Sequence, residues 1–410
     1  MAALFDSDSE EEEFIGFTIE PGFERDNRES ESDISVLSVD TEDLSDLDIS
    51  DQESGDEYEE EWNEDPGPVV VNPLVANTGL VRDVRGYSTL NIFNLMFKDS
   101  NFDRIAEETN RYARQAMEAN PDPAWRETVA EEVKAFFALN ILFGIKQLPE
   151  VYSYWSKNQL LRVPEVQKIF PRNRFAKISQ YLHLNDKRKE LPRGHANHDK
   201  LFKVRPLLDS IVEAVKSEYR PSKNVSIDEA MIPFKGRLSL KQYMPLKPVK
   251  RGIKVWECAD SSNGSAFVLH RTVRGNRQGI PRQIAPSTER VKRLRQGESL
   301  FLRKENIVVT VWKDKKAVYF LSSQSDPVGN DTVCRRQRDG TVIQVPSAPV
   351  VKTYNKNMGV VDLNDQMRGY YMAGRKSKKW WRCLMWFFVD VAIVNAYILE
   401  KLSPHHRSRT

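Results

Sequence analysis

The 410 residues carry 61 Lys+Arg against 59 Asp+Glu, but the balance hides a split: residues 1–65 hold 26 acids and 2 cations, leaving 59 cations and 33 acids in the other 345. An acidic block so poor in aliphatic residues cannot bury enough apolar surface to offset its ordering entropy and is expected to be disordered, whereas the basic remainder suits a polyanion. Three widely spaced cysteines, Cys258, Cys334 and Cys383, exclude a disulfide framework and a cysteine-built zinc site and point to a reducing compartment, and with the early turn to acidic sequence no signal peptide is expected.

In chain order, an acidic tail spans 1–68 and ends at Glu64-Asp-Pro-Gly-Pro68. Ser7 and Ser9, each followed by acids, could add phosphate charge. The tail reads equally as a solubilising segment or as a regulator that competes with nucleic acid for the basic body. Residues 69–220 read as a helical domain of the DNA-binding or dimerisation kind. Ser88 or Thr89 caps a first helix to Phe97. A second covers Ile105–Glu118. A third, Trp125–Ile145, sets Val129, Val133, Phe136, Phe137, Ile141 and Leu142 on one broad face. Two more cover Arg172–Asn185 and Leu201–Lys216. His183, His195 and His198 lack metal-ligand spacing and read as structural or surface residues.

The pattern changes near residue 221. Val225–Ile227, Ile253–Ala259 and Ser265–His270 read as strands, the last two flanking Asp260-Ser-Ser-Asn-Gly264, a strong hairpin signal. Arg271–Pro281 reads as a basic loop. Glu298–Arg303, Asn306–Trp312 and Ala317–Ser322 read as strands, so 271–350 forms a β-rich insertion to whose basic surface Arg335, Arg336 and Arg338 contribute. Pro346–Tyr354 leads into a second acidic motif, and Trp380–Lys401 reads as a buried helix, because Asp390 and Asn395 interrupt its apolar run. Residues 403–410 are a basic tail. The fold class is α+β.

Two segments carry the chemistry. Ser226-Ile-Asp-Glu-Ala-Met-Ile-Pro-Phe-Lys-Gly-Arg237 places Asp228 on a strand with Lys235 and Arg237 close behind, and Asn357-Met-Gly-Val-Val-Asp-Leu-Asn-Asp-Gln366 supplies Asp362 and Asp365. Acids held beside cations suit metal-assisted phosphoryl transfer, in which divalent ions are fixed against one phosphate. A plainer role for Asp228 is a strand aspartate paired with Lys235 or Arg237. Lys247, Lys250, Arg251 and Lys254 cluster beside the first motif and, with Lys235 and Arg237, are expected to contact DNA. Arg375, Lys376, Lys378, Lys379 and Arg382 cluster around Trp380 and Trp381, a pattern that suits phosphate contact with base stacking. Lys376–Lys379 equally reads as a nuclear import signal or a solvated turn, and Trp381 and Trp386 read as core.

These motifs, together with Lys247-Pro-Val-Lys-Arg-Gly-Ile-Lys254, Tyr154-Trp155-Ser156, Arg174–His183 and Arg375-Lys-Ser-Lys-Lys-Trp-Trp381, resemble in order the piggyBac transposase family, and more narrowly the piggyBac transposable element-derived proteins, over about 72–402. The resemblance implies an RNase H-like core in two halves, 221–270 and 351–402, a helical domain before it, and DNA as partner in the nucleus. It implies metal-dependent cleavage and transfer of DNA at TTAA sites with Mg2+ or Mn2+. Asp228 and Asp362 match the first and third catalytic aspartates and ion ligands, and Asp365 a further acid. A homodimer and chromatin partners for the tail are further expectations; a membrane is not.

The chain departs from the family at three places. The second catalytic aspartate, carried in an Asp-Asn-aromatic-Phe segment, has no counterpart between His270 and Ser299, where several tens of residues are missing and the core is truncated. Asp260, Asp326 and Asp331 are poor substitutes; turn aspartates mostly cap their own backbone. Val360 stands where the family has glycine, and the cysteine-rich zinc domain has no counterpart. The expected function is a transposase-derived DNA-binding protein with impaired cleavage, or a domesticated, non-catalytic DNA- or chromatin-binding protein.

Overall fold

The computed structural model describes residues 62–71, 77–245, 247–263, 281–337, 339–374 and 377–403. The expected acidic disorder before residue 62, the strand Ser265–His270, the loop Arg271–Ile280, Arg338, Arg375, Lys376 and residues 404–410 of the basic tail lie outside them.

The first layer is helical: α1 (Thr89–Met96), α2 (Asp99–Met117), α3 (Ala130–Ile145), α4 (Pro164–Ile169), α5 (Arg172–Tyr181) and α6 (Arg205–Glu218). Ser88 starts α1, its Oγ accepting from Asn91 N at 3.1 Å, which satisfies one orphan amide of the first turn. The third helix begins five residues later than the apolar spacing predicts. Buried Thr128 exchanges two backbone hydrogen bonds, each 2.8 Å, with the Asn110 amide side chain, and this pins the approach to α3 as a connection.

A short pair, β1 (Gly79–Leu80) with β2 (Tyr219–Arg220), leads to the sheet that carries the first acidic motif. That sheet is antiparallel in the order β3-β5-β4, with β3 (Val225–Pro233), β4 (Lys241–Tyr243) and β5 (Arg251–Asp260). A strand that the sequence pattern did not pick out, β4, precedes β5 and pairs with Arg251–Ile253. β3 is an outermost strand of the described sheet. Gly252 is required here, since an added Cβ would stand 2.0 Å from the Ile232 carbonyl oxygen.

Beyond α7 (Glu289–Lys292) comes a meander of β6 (Ser299–Lys304), β7 (Ile307–Lys313) and β8 (Ala317–Ser322), then a hairpin of β9 (Asp331–Arg336) and β10 (Val342–Ser347). These strands have small cores of their own around Trp312 and Phe320 and around Ile284 and Val309. Helices α8 (Pro349–Asn357), α9 (Val360–Tyr370) and α10 (Trp380–Leu402) close the chain. Proline in the first turn starts α8, a position where its missing amide costs nothing.

α10 is long and apolar enough to cross a membrane by length and composition, yet 72% of its most apolar window is buried inside the protein. One core joins it to α1–α6 and to the sheet through Phe97, Phe137, Trp386, Ala230, Ile232 and Ile253, with Phe137 and Trp386 rings 5.0 Å apart. Trp381 is buried as well. Cys258 and Cys383 are half-buried thiols that form no disulfide. Helix and sheet thus share one apolar interior, and the residues next to it are held in fixed register.

Candidate functional site

Asp228 sits in the middle of β3, directly opposite Glu257 of β5, so both side chains leave the same face of the sheet. Helix α9 packs across β3 and β5 on the sheet. Val360 opens this helix behind Gly359, whose φ is −85°; the valine that replaces the family glycine is an ordinary helical residue here. Asp362 lies in the first turn, where a carboxylate favours the helix dipole.

Lys247 joins the two motifs. Its Nζ is 3.1 Å from Asp228 Oδ2 and 3.3 Å from Asp362 Oδ1, so acids 134 positions apart meet at one ammonium. Burial would lower the lysine's pKa; Asp228 and Asp362 outweigh it and the pKa is raised. Asp228 Oδ1 also accepts from Glu229 N at 2.8 Å. The sequence reading counted Lys247 among DNA-contacting cations and offered Lys235 or Arg237 as partners for Asp228. The structure makes Lys247 the counter-ion, with only 19% of its side chain exposed. Nothing local marks this pairing, because one of its two acids lies 115 residues away.

Asp365 goes elsewhere. Arg368, one turn on, binds it and bonds Asn364 Oδ1 at 3.2 Å. The same guanidinium stands 3.4 Å from Glu257 Oε1 and over the Phe387 ring at 4.2 Å. Asp362 and Asp365, one helical turn apart, thus face different cations: one holds Lys247, the other Arg368. Glu257, which the sequence reading missed, is buried, and burial raises its pKa while Arg368 pulls it back. Its signal was an acid inside the apolar run Val255–Ala259. Asp390 of α10 lies near Arg368; burial pushes it up to about 7, though its Oδ1 accepts from Ala373 N at 3.0 Å.

Two-ion phosphoryl transfer needs carboxylates from at least three elements. Among the described residues no group of three or more His, Cys, Asp or Glu is arranged to hold a metal ion, and residues 264–280 contain no acid at all. The described residues therefore do not fit a two-ion centre. Asp260 belongs to another structure. Its carboxylate accepts from Tyr219 OH at 2.8 Å, Ser222 Oγ at 2.7 Å and Ser262 N at 2.8 Å, closing the turn after β5. Asp326 accepts from Val69 N at 2.8 Å, and Asp331 pairs with Lys352 at 2.6 Å.

The basic residues divide. Lys235, Arg237, Lys250, Arg251 and Lys378 are exposed, while Lys254 and Lys379 are half-buried. Arg251 lies 5.2 Å from the Tyr243 ring and Lys254 4.4 Å from the exposed Trp256 ring. Arg335 is committed internally, to Asp314 at 3.3 Å and the Trp312 ring at 5.5 Å. Half-buried His183 stacks on Tyr112 at 3.5 Å.

A family model described as Transposase IS4 matches residues 88–271 and 268–397, two stretches that meet at 268–271. Three human proteins are similar: piggyBac transposable element-derived protein 5, 22% identical over 77% of this chain and 71% of its own; protein 2, 24% over 77% and 62%; and protein 3, 23% over 66% and 55%. The chain thus spans less than two thirds of the last two. A piggyBac transposase solved by cryo-EM in a synaptic complex with hairpin DNA has the same fold, with a TM-score of 0.62 and 22% identity over 81% of this chain and 78% of that one.

Proposed function

Because the chain belongs to the piggyBac-type transposase family, we propose that it is a transposase-derived DNA-binding protein of the nucleus in which metal-dependent cleavage and transfer at TTAA sites is impaired. The observation that carries this reading is the single ammonium between Asp228 and Asp362. The two motif acids are brought together, which is what the ancestral reaction needs, but one lysine ammonium stands between them, and among the described residues no group of three or more His, Cys, Asp or Glu is arranged to hold a metal ion. The break in the family match at 268–271 falls where the second aspartate segment is missing, and that supports the same reading.

DNA as partner rests on the cation excess of residues 66–410 and on the exposed basic residues around the sheet, since phosphate contacts by Lys and Arg supply most non-specific affinity. The solved relative's hairpin DNA is consistent with it. Mg2+ or Mn2+ belongs to the ancestral reaction. A homodimer, and chromatin partners for the acidic tail, complete the proposal.

The test is plasmid excision with the wild-type chain beside Asp228→Asn. Equal, background-level signals are expected; excision that exceeds background and falls with the substitution refutes the impaired-cleavage reading. Duplex binding is measured separately against salt, and a flat response refutes the DNA reading.

A further inference from the structure

The connection between α5 and α6 carries a charge cluster that the two acidic motifs do not use. Arg193, Lys200 and Lys203, with His198, line a recess of about 110 Å3 whose other wall is Leu238–Leu240 and Trp380. Arg193 and Lys200 are exposed. Among the lining residues Glu190 is the one acid, and it stands 3.8 Å from Lys203. His198 Nδ1 donates to the Leu191 carbonyl at 2.7 Å, which fixes the ring at the rim. The walls come from three distant parts of the chain, and two of them directly follow basic runs: Leu238 follows Lys235 and Arg237, and Trp380 follows Lys378 and Lys379.

The same concentration of charge is felt by a neighbouring ring. Burial first, then Lys379, Arg382 and Lys203, holds the His183 pKa down to about 3, so Lys203 and Lys379 act from one neighbourhood although 176 positions separate them. Cations gathered at one concavity repel each other, and one carboxylate does not neutralise them. A group with several acceptor oxygens and negative charge relieves that repulsion, and a guanidinium beside ammonium groups matches the oxygens of a phosphate.

We propose that this recess seats a backbone phosphate of DNA, held by Arg193, Lys200 and Lys203. The inference rests on the DNA reading above and adds a place: a third basic segment, in the helical part of the chain, that fixes the duplex beside the start of α10. The contact is to backbone, so it sets position and carries no base preference.

The experiment measures the affinity of the full chain for a short labelled duplex across a salt series. Substituting Arg193→Ser, Lys200→Ser and Lys203→Ser together is expected to reduce the slope of log K against log salt by about 0.9, the contribution of the one phosphate that the recess neutralises. A control replacing the exposed Lys157, Lys216 and Lys315 by Ser keeps the wild-type slope. A charge-conserving variant, Lys200→Arg with Lys203→Arg, also keeps it, which separates lost charge from lost folding. A slope for the triple variant equal to the control's overturns the site while leaving the DNA reading standing. A flat wild-type slope removes both.

Discussion

Lys247 Nζ donates to Asp228 Oδ2 at 3.1 Å, closing a pair between the middle of β3 and the loop that leads into β5. Asp362 completes the arrangement from α9, so the ammonium separates two carboxylates that would otherwise repel each other. Replacing Lys247 by Met is expected to destabilise the fold by about 1–2 kcal/mol, a charged hydrogen bond discounted for the exposure of both acids. Adding Asp362→Asn should restore part of the loss by removing the repulsion. Denaturant unfolding of the double-mutant cycle checks this; strictly additive effects mean that the lysine does not couple the acids.

Arg368 is the more costly residue to lose. Arg368→Met leaves Glu257 buried without its cation, at an expected cost of about 3–5 kcal/mol. Glu257→Gln in the same chain should recover a good part of it, because the orphaned charge is then gone. Unfolding midpoints of the single and double variants decide the matter, and a Met variant as stable as wild type refutes the pairing.

Asp390 gives a pH dependence with a definite sign. Its folded pKa, about 7, lies above the unfolded value, so its contribution to stability is complete below about pH 4 and is lost as pH rises through 7. Each raised unit corresponds to about 1.4 kcal/mol. Asp390→Asn keeps an acceptor for Ala373 N and should flatten the stability profile between pH 4 and 8, with the variant gaining on wild type at the alkaline end. Thermal unfolding across that range is the measurement, and parallel profiles refute the assignment.

Asp260 behaves in the opposite sense. Burial would raise its pKa, but the Ser222 and Ser262 donors outweigh burial and lower it. Its stabilisation is present above the unfolded pKa, near 4, and is lost as pH falls through the lower folded value. Asp260→Ala should cost about 2–3 kcal/mol at neutral pH by stripping partners from buried donors, and the deficit should shrink in acid. A deficit that does not vary with pH contradicts this.

The elements most legible in the sequence were those with one dominant apolar face. α1, α2, α5 and α6 emerged from helical spacing, and β7 and β8 from strand-like runs on either side of Lys313-Asp-Lys-Lys316. The start of α3 was misplaced because Asn110, on another helix, decides where it begins. α8 was passed over although Ala348-Pro349 is an N-terminal signal. The two motif acids were named correctly as neighbours in space, but only by resemblance; no periodicity links positions 228 and 362. Asp365 could have been separated from them, since Asp365 and Arg368 at i, i+3 form a helical ion pair visible in the sequence. Glu257 was legible as an acid in an apolar strand, whereas its partner on α9 was not.

The position of β3 at the margin of its sheet has a consequence for handling the protein. Among the described residues no strand pairs with the outer side of β3; an open strand side is a template on which another chain can lay its own main chain, and Trp256 stands half in solvent on the neighbouring strand. Concentrated material should therefore polymerise by stitching sheets together while its helices remain intact, and loss of solubility in a preparation would report on that margin rather than on global unfolding.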